Sequence, residues 1–417
     1  MQKQDLKDLI SKGNKLYERV LKREFHFDQP YSIIDLEYTR NLLSDFKMLS
    51  GELPKIEGPK SLDEILVYEL SKICNNQIQN LEDEFNPSIK TPEQVISMYE
   101  VTSKDLDEIK KWLSTNKDKV IAANLRQMEA YSSSRRSEVA LGSPKIRVDA
   151  EFLVLRYVDN FKKVLSEFFS DFPGVPQLLD EYIISVESDN SRSYADKVAK
   201  ASYLSVAKCC YMLDGKINLI PERLISLLGH EVLGHCLNYI NTDLSDLPLY
   251  IKENLNAMTS ASKESVADHF ESLVFEFLNG NKNAADSMGF EEDFENIYNR
   301  FKDTRILMDY WNKLSMVGYW ILSNTKVDDF NKQVKELLTY SIDIKWPASF
   351  VNRHRQDWNR STGLLLPKFV SELRYSVNPV KEMLAGVNDA RKSKIEKLIL
   401  VGNWTPTSLK YWISVNS

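Results

Sequence analysis

Residues 230–235 read His230-Glu231-Val232-Leu233-Gly234-His235, which puts two imidazoles and a carboxylate within six positions of a 417-residue chain that has five histidines. Two neutral imidazoles and a neighbouring carboxylate are what a catalytic zinc needs: nitrogen and oxygen ligands, one position left open, and a base for the bound water. The short metallopeptidase motif spaces its histidines four apart. Here they are five apart. In an α-helix, residues four apart differ by about 40° around the axis and residues five apart by about 140°. A regular helix would therefore splay His230 and His235 away from one metal. A π-bulge absorbs the extra residue, and such bulges cluster at functional sites. Gly234 would tolerate the backbone change and let metal or substrate approach closely. The spacing thus predicts a widened turn from His230 to His235. Two other readings stay open. Glu231 and His235 are four apart and share a face without any bulge, and the three residues could form a metal-free hydrogen-bonded cluster at a buried helix end.

Zinc requires a third protein ligand. Downstream, Ser260 or Ser262 is a plausible N-cap, and Val266, Phe270, Leu273, Val274 and Phe277 recur at helical spacing. Glu264, near the start of that helix, is the expected third ligand. Asp268 and His269 lie about one turn further on, where one of them could orient a ligand histidine. A solvated helix face is the alternative for both. Upstream, Ala207 to Pro221 reads as a β-hairpin around Asp214-Gly215. Its second strand, Ile217 to Ile220, could hold an extended peptide by main-chain hydrogen bonds, with Ile217 and Leu219 against the substrate, a purely structural hairpin being the alternative.

His230-Glu231-Val232-Leu233-Gly234-His235 followed by Lys263-Glu264-Ser265-Val266-Ala267 resembles the zinc domain of the microtubule-associated tubulin tyrosine carboxypeptidases and their bacterial relatives. That family has His-Glu-x-x-x-His and then a Glu-Glu-Gly-Leu-Ala-like segment. The resemblance implies one Zn2+ per chain on His230, His235 and Glu264, with Glu231 as base. Lys263 and Ser265 depart from the family's Glu and Gly. A weaker likeness runs through Arg353-His354-Arg355, Gly363, Lys368-Phe369 and Leu373-Arg374-Tyr375 to Leu398–Trp412. The similarity spans about residues 140 to 412. It implies a zinc metallopeptidase that removes a C-terminal residue from a peptide or protein. An endopeptidase or aminopeptidase with the same site is one alternative, and a non-catalytic binding module with a degenerate metal site is another.

A carboxypeptidase also needs a cation for the substrate's terminal carboxylate, and arginine suits that pairing. Arg353 and Arg355 are the candidates, with Tyr375 as a donor to the oxyanion. The substrate partner expected is the C-terminal tail of a peptide or protein.

These residues need elements to position them. A chain with 43% hydrophobic residues can bury a large core. Net charge is −6, which leaves no general nucleic-acid footprint. Four cysteines show neither metal spacing nor a disulfide framework, and Cys236 reads as a small buried hydrophobe. With no apolar leader and no spanning segment, a cytoplasmic location without membrane contact is expected, signal-less secretion being the alternative. Helix-period patterns dominate the first 130 residues: Leu6, Leu9 and Ile10, then Leu16, Tyr17, Val20 and Leu21, then Leu62, Ile65, Leu66 and Leu70. Thr91-Pro92-Glu93 marks a helix start. Arg147–Val154 could be strand or helix. Tyr310-Trp311 to Tyr319-Trp320 reads as helix core. The serine cluster at 132–134 suggests a boundary. The fold expected is predominantly α (α+β): a helical N-terminal region over 1–135, then a gluzincin-like zinc-metallopeptidase domain over 136–417 with a small antiparallel sheet.

Overall fold

Apolar side chains three and four apart give each N-terminal helix one face to bury. The computed structural model describes residues 3–24, 36–85, 100, 103–130, 144–188, 192–213, 216–254, 257–325, 329–360 and 378–417. Helix α1 (Lys3–Glu24) buries Leu6, Leu9, Leu16, Tyr17 and Val20. α2 (Leu36–Glu52) buries Leu42, Phe46 and Leu49, and α3 (Leu62–Phe85) buries Ile65, Leu66, Leu70 and Ile73. The three pack on one another. α4 (Ser103–Thr115) and α5 (Lys117–Ala130) follow. The expected boundary at residues 132–134 and the helix start at Thr91 lie outside the described residues.

The stretch Arg147–Val154 is helical, within α6 (Pro144–Phe168). Ala150, Val154, Tyr157, Val158, Phe161, Val164 and Leu165 keep a helical period through it and are buried. After α7 (Val175–Glu181) come β1 (Ile183–Glu187), β2 (Tyr194–Asp196) and β3 (Ala201–Ser205). They form a sheet of order β1-β3-β2, in which β3 runs parallel to β1 and antiparallel to β2. The sheet is therefore mixed rather than purely antiparallel. β3, buried at Ala201, Ser202, Leu204 and Ser205, takes the centre and leaves β2 on an edge.

The expected hairpin is present but starts later. Val206–Cys209 is one helical turn, α8, and β4 (Cys210–Leu213) pairs antiparallel with β5 (Lys216–Leu219). Asp214-Gly215 lies outside the described residues. α9 (Pro221–Leu227) leads into a π-helical segment (Leu228–Cys236), which continues as α10 (Leu237–Leu244). Then come α11 (Leu249–Lys252), α12 (Ala257–Gly280), α13 (Lys282–Met288), α14 (Phe294–Asn324), α15 (Phe330–Leu338), α16 (Trp346–Arg360), α17 (Pro379–Leu384), α18 (Asp389–Leu398) and α19 (Pro406–Asn416).

One apolar cluster runs from Leu6 to Ile413 and takes in α1–α3, α6, the π segment and α12. The N-terminal helices thus share a core with the elements that bear the motif, and residue 135 does not divide that core. α3 is also tied to α19, where Glu69 accepts hydrogen bonds from the Thr405 amide at 3.3 Å and the Thr405 hydroxyl at 2.8 Å. A second cluster joins Leu106, Ile109, Leu113 and Val120 to Tyr310, Leu314, Val317, Tyr319, Phe350 and Val351. α14 crosses between the two, with Phe294, Ile297 and Phe301 in the first and Tyr310 onward in the second. The aromatic run from Tyr310 to Trp320 is thereby helix core, as its period implied. No helix among the described residues is long and apolar enough to cross a membrane.

Candidate metal centre

Leu228–Cys236 is a nine-residue π-helix, so the widened turn expected between His230 and His235 is present. Leu228, Val232, Leu233 and Cys236 face the core. The two imidazoles come together on one side, with ring centroids 5.0 Å apart and planes at 85°. A regular helix would have turned one of them into that core. Cys236 is a buried free thiol, and burial raises its pKa.

The π segment lies against α12, and glycine sets how closely. A Cβ on Gly234 would stand 2.4 Å from the Cα of Ala267, and one on Gly229 would stand 2.7 Å from the Cα of Glu271. Close approach of two backbones, rather than room for metal or substrate, is what Gly234 provides. Backbone cannot swing aside as a side-chain tip can. Gly234→Ala is therefore expected to push the helices apart, cost about 1–3 kcal/mol of stability and weaken metal binding. Urea unfolding would check this, and an unchanged midpoint with unchanged zinc affinity would contradict it.

α12 presents Glu264, Asp268 and Glu271 on one face, at i, i+4 and i+7. Glu264 Oε2 lies 3.3 Å from His230 Nε2 and 3.9 Å from His235 Nε2. The three ligand atoms all lie within 4.8 Å of one another. Tetrahedral zinc with bonds of about 2.1 Å separates its ligand atoms by about 3.4 Å. The donor set and spacing fit a small divalent cation. Glu231 is not in that group, so the reading that paired Glu231 with His235 as ligands finds no geometry here.

His230 turns its other nitrogen to the remaining carboxylates. Nδ1 is 3.5 Å from Asp268 Oδ1 and 3.6 Å from Glu271 Oε2. Such an arrangement fixes the ring and its tautomer, leaving Nε2 for a metal. Asp268 and Glu271 with His230 could in principle hold an ion themselves. Arg305 on α14 argues against it. Its guanidinium donates to both Asp268 oxygens, at 3.0 and 2.8 Å, and to Glu271 at 3.2 Å. Ser226 donates to the other Glu271 oxygen. Replacing Arg305 with Met would leave two buried carboxylates uncompensated. The expected result is a fall of about 10–100-fold in zinc affinity, read by titration against a competing chelator. Unchanged affinity would separate Arg305 from the centre.

Protonation states follow from burial and neighbours. Burial pushes His235 down to about 3, so it is neutral and ready to ligate. Burial also opposes charge on His230, but Asp268, Glu264 and Glu271 hold it well above its usual value. A metal must therefore displace a proton from His230. Burial works against charge on Asp268 too, yet His230 and Arg305 hold its carboxyl below the usual range. Burial raises Glu231 to about 7, against the opposing pull of His230. A carboxyl there exchanges protons near neutrality.

The centre opens on a cleft of about 820 Å³, walled by β2 and the residues before it, α8, the π segment, α12 and α14. The residues expected to touch substrate lie elsewhere than the candidate ligands. Ile217 and Leu219 pack into the main core with β5 against α6, and do not line the cleft. The edge strand that does is β2, at Tyr194 and Ala195, preceded by Arg192 and Ser193. Arg353 is exposed on α16 and away from the cleft wall. Its neighbour His354 is buried, with Nε2 3.3 Å from the Tyr319 hydroxyl. The Arg355 side chain and all of Tyr375 lie outside the described residues. Of the pair one turn beyond Glu264, Asp268 reaches His230, whereas His269 pairs with Glu396 at 3.1 Å. Sequence reasoning passed over Glu271, although its spacing from Glu264 and Asp268 was a usable signal. It also passed over Tyr239, one turn after His235. Arg305 carries no local signal at all.

The chain matches no known protein family, no curated protein and no solved structure.

Proposed function

We propose that the protein is a zinc-dependent metallopeptidase. The observation that carries this reading is the convergence of His230 Nε2, His235 Nε2 and Glu264 Oε2, with Glu231 beside them on the same π-helix. Zinc is the divalent cation that best suits two imidazoles and one carboxylate with a position left open, and when bound it polarises a carbonyl and acidifies a water. The chain's own residues supply the rest. Glu231, buried and titrating near neutrality, accepts the proton of the attacking water. As the new C–O bond forms and the C–N bond breaks, it delivers that proton to the leaving amine nitrogen. Asp268 and Glu271, anchored by Arg305, keep His230 in one orientation. β2 is an edge strand of the sheet among the described residues, and an extended peptide could pair with it through its main chain.

Removal of a C-terminal residue is the form of hydrolysis implied by the resemblance to the tubulin tyrosine carboxypeptidases. The test is bound-zinc stoichiometry of the purified chain together with hydrolysis of a peptide library. About one zinc per chain with no turnover of any peptide would reject the peptidase reading. No zinc after reconstitution would reject the metal centre itself.

A further inference from the structure

Four cations line the cleft: Arg192, Lys208, Lys263 and Arg305. Arg305 is committed to Asp268 and Glu271. Lys208 is exposed. Lys263 differs from all of these. It directly precedes the ligand Glu264 on α12 and lies largely within the cleft wall. Its ammonium forms no ion pair with a described carboxylate. It sits 4.5 Å over the Tyr239 ring and 3.4 Å from the Tyr239 hydroxyl.

Tyr239 neighbours both Lys263 and the candidate ligand His235. Its ring lies parallel to that of His235, with centroids 6.4 Å apart. By these two distances the ammonium lies within about 11 Å of the centre of a candidate ligand imidazole. Glu264 and Glu253 act on the ammonium only from beyond ion-pair distance, and a charge withdrawn from water without a close partner costs free energy. An arriving anion recovers that cost, and the recovered energy becomes selectivity for ligands that bring one. Residues adjacent along a peptide lie about 3.8 Å apart, Cα to Cα. A carboxylate on the residue next to a scissile bond therefore falls within the same span.

We propose that Lys263, steadied by Tyr239, is a carboxylate-binding subsite that selects peptides carrying a carboxylate on the residue beside the scissile bond. This rests on the metallopeptidase reading of the same cleft. Two groups could supply the carboxylate, the α-carboxylate of a free C-terminus or an acidic side chain. Both present the same two oxygens to the ammonium.

The test is binding rather than turnover, on zinc-loaded Glu231→Gln protein. Three fluorescent tripeptides are compared: a neutral free acid, its C-terminal amide, and an amide whose last residue is Glu. The uncharged amide is expected to bind about 10–100-fold more weakly than the better carboxylate ligand, the range of a charge-assisted hydrogen bond. Adding Lys263→Met should shrink that ratio to about twofold, and Lys263→Arg should restore most of it. Zinc content equal to that of the parent shows that the effect is not loss of the metal, which a merely structural role for Lys263 would produce. If the Met variant does not fold, Lys263→Gln serves the same purpose. Preference for the free acid alone assigns a terminal carboxylate, whereas equal preference for the Glu amide assigns an acidic side chain. Charge discrimination that survives in Lys263→Met, or is missing from the parent, overturns the proposal. Discrimination that depends on Lys263 in a protein whose wild type cleaves nothing would overturn only the peptidase reading.

Discussion

Replacing Glu231 with Gln is expected to slow peptide hydrolysis by about 10²–10⁴-fold, the range for removing a positioned acid–base group, while zinc content stays at about one per chain. Gln matches Glu in size, and Glu231 is buried beside His230 but outside the ligand group. The substitution should therefore leave the π-helix and the three ligands in place. What it removes is the proton acceptor. The pH profile gives a second readout. Burial sets the Glu231 carboxyl at about 7 without a cation. A bound dication would lower it from there, because positive charge favours the carboxylate. The acid limb of the wild-type profile should therefore fall at or below about pH 7, with activity lost as pH drops through it and Glu231 becomes protonated. A Glu231→Gln protein that retains wild-type hydrolysis would exclude Glu231 as the base. Unchanged ligand binding with no hydrolysis in either protein would favour the binding-module alternative.

Loss of one ligand should be equally decisive for the metal. In His235→Ala and Glu264→Ala, bound zinc is expected to fall from about one per chain to a small fraction, because two protein ligands seldom hold zinc where three are needed. The wild-type melting temperature should rise with added zinc, since a ligand at 100 times its Kd stabilises the native state by about 2.7 kcal/mol. The variants should show no such rise. Acid acts in the same direction. The carboxylates around His230 hold its imidazole protonated well above its usual pKa. Zinc must displace that proton, so apparent affinity should weaken as pH falls. Full zinc occupancy in both variants would show that the ion binds elsewhere.

The convergence of the candidate ligands was legible because it depends on short-range geometry. His230 and His235 stand five apart in an apolar helical run, so only a widened turn can present both on one side. That argument needs nothing outside six residues, and the π-helix over Leu228–Cys236 agrees with it. Glu264 and Asp268 were within reach for a similar reason, since helical period alone puts them on one face of α12. Glu271 belonged to the same series and went unread. The helical bulk was likewise visible in the apolar periods of α1 and α3.

Which residues line the rest of the cleft was not legible. Ile217 and Leu219 alternate as a cleft strand should, yet alternation reports only that one face is buried, not what buries it. The core took that face. β2, only three residues long, carries little pattern, and its place beside the π segment comes from pairing with β3. Arg353 and Arg355 have the right chemistry for a carboxylate, but α16 sets Arg353 outside the cleft wall. The boundary near residue 135 failed to divide the core for a comparable reason. A serine cluster marks a place where the chain can turn, whereas a shared core depends on which apolar faces meet.

By itself, then, the sequence determined the donor types, their order along two helices, and the backbone distortion needed to bring the histidines together. These follow from side-chain chemistry and helical pitch, both local. Only the tertiary structure decided that Arg305 neutralises Asp268 and Glu271, that Gly229 and Gly234 bring the π segment against α12, and that Lys263 and β2 face the centre. Each of those depends on contacts between segments tens of residues apart, which packing selects and no local period encodes.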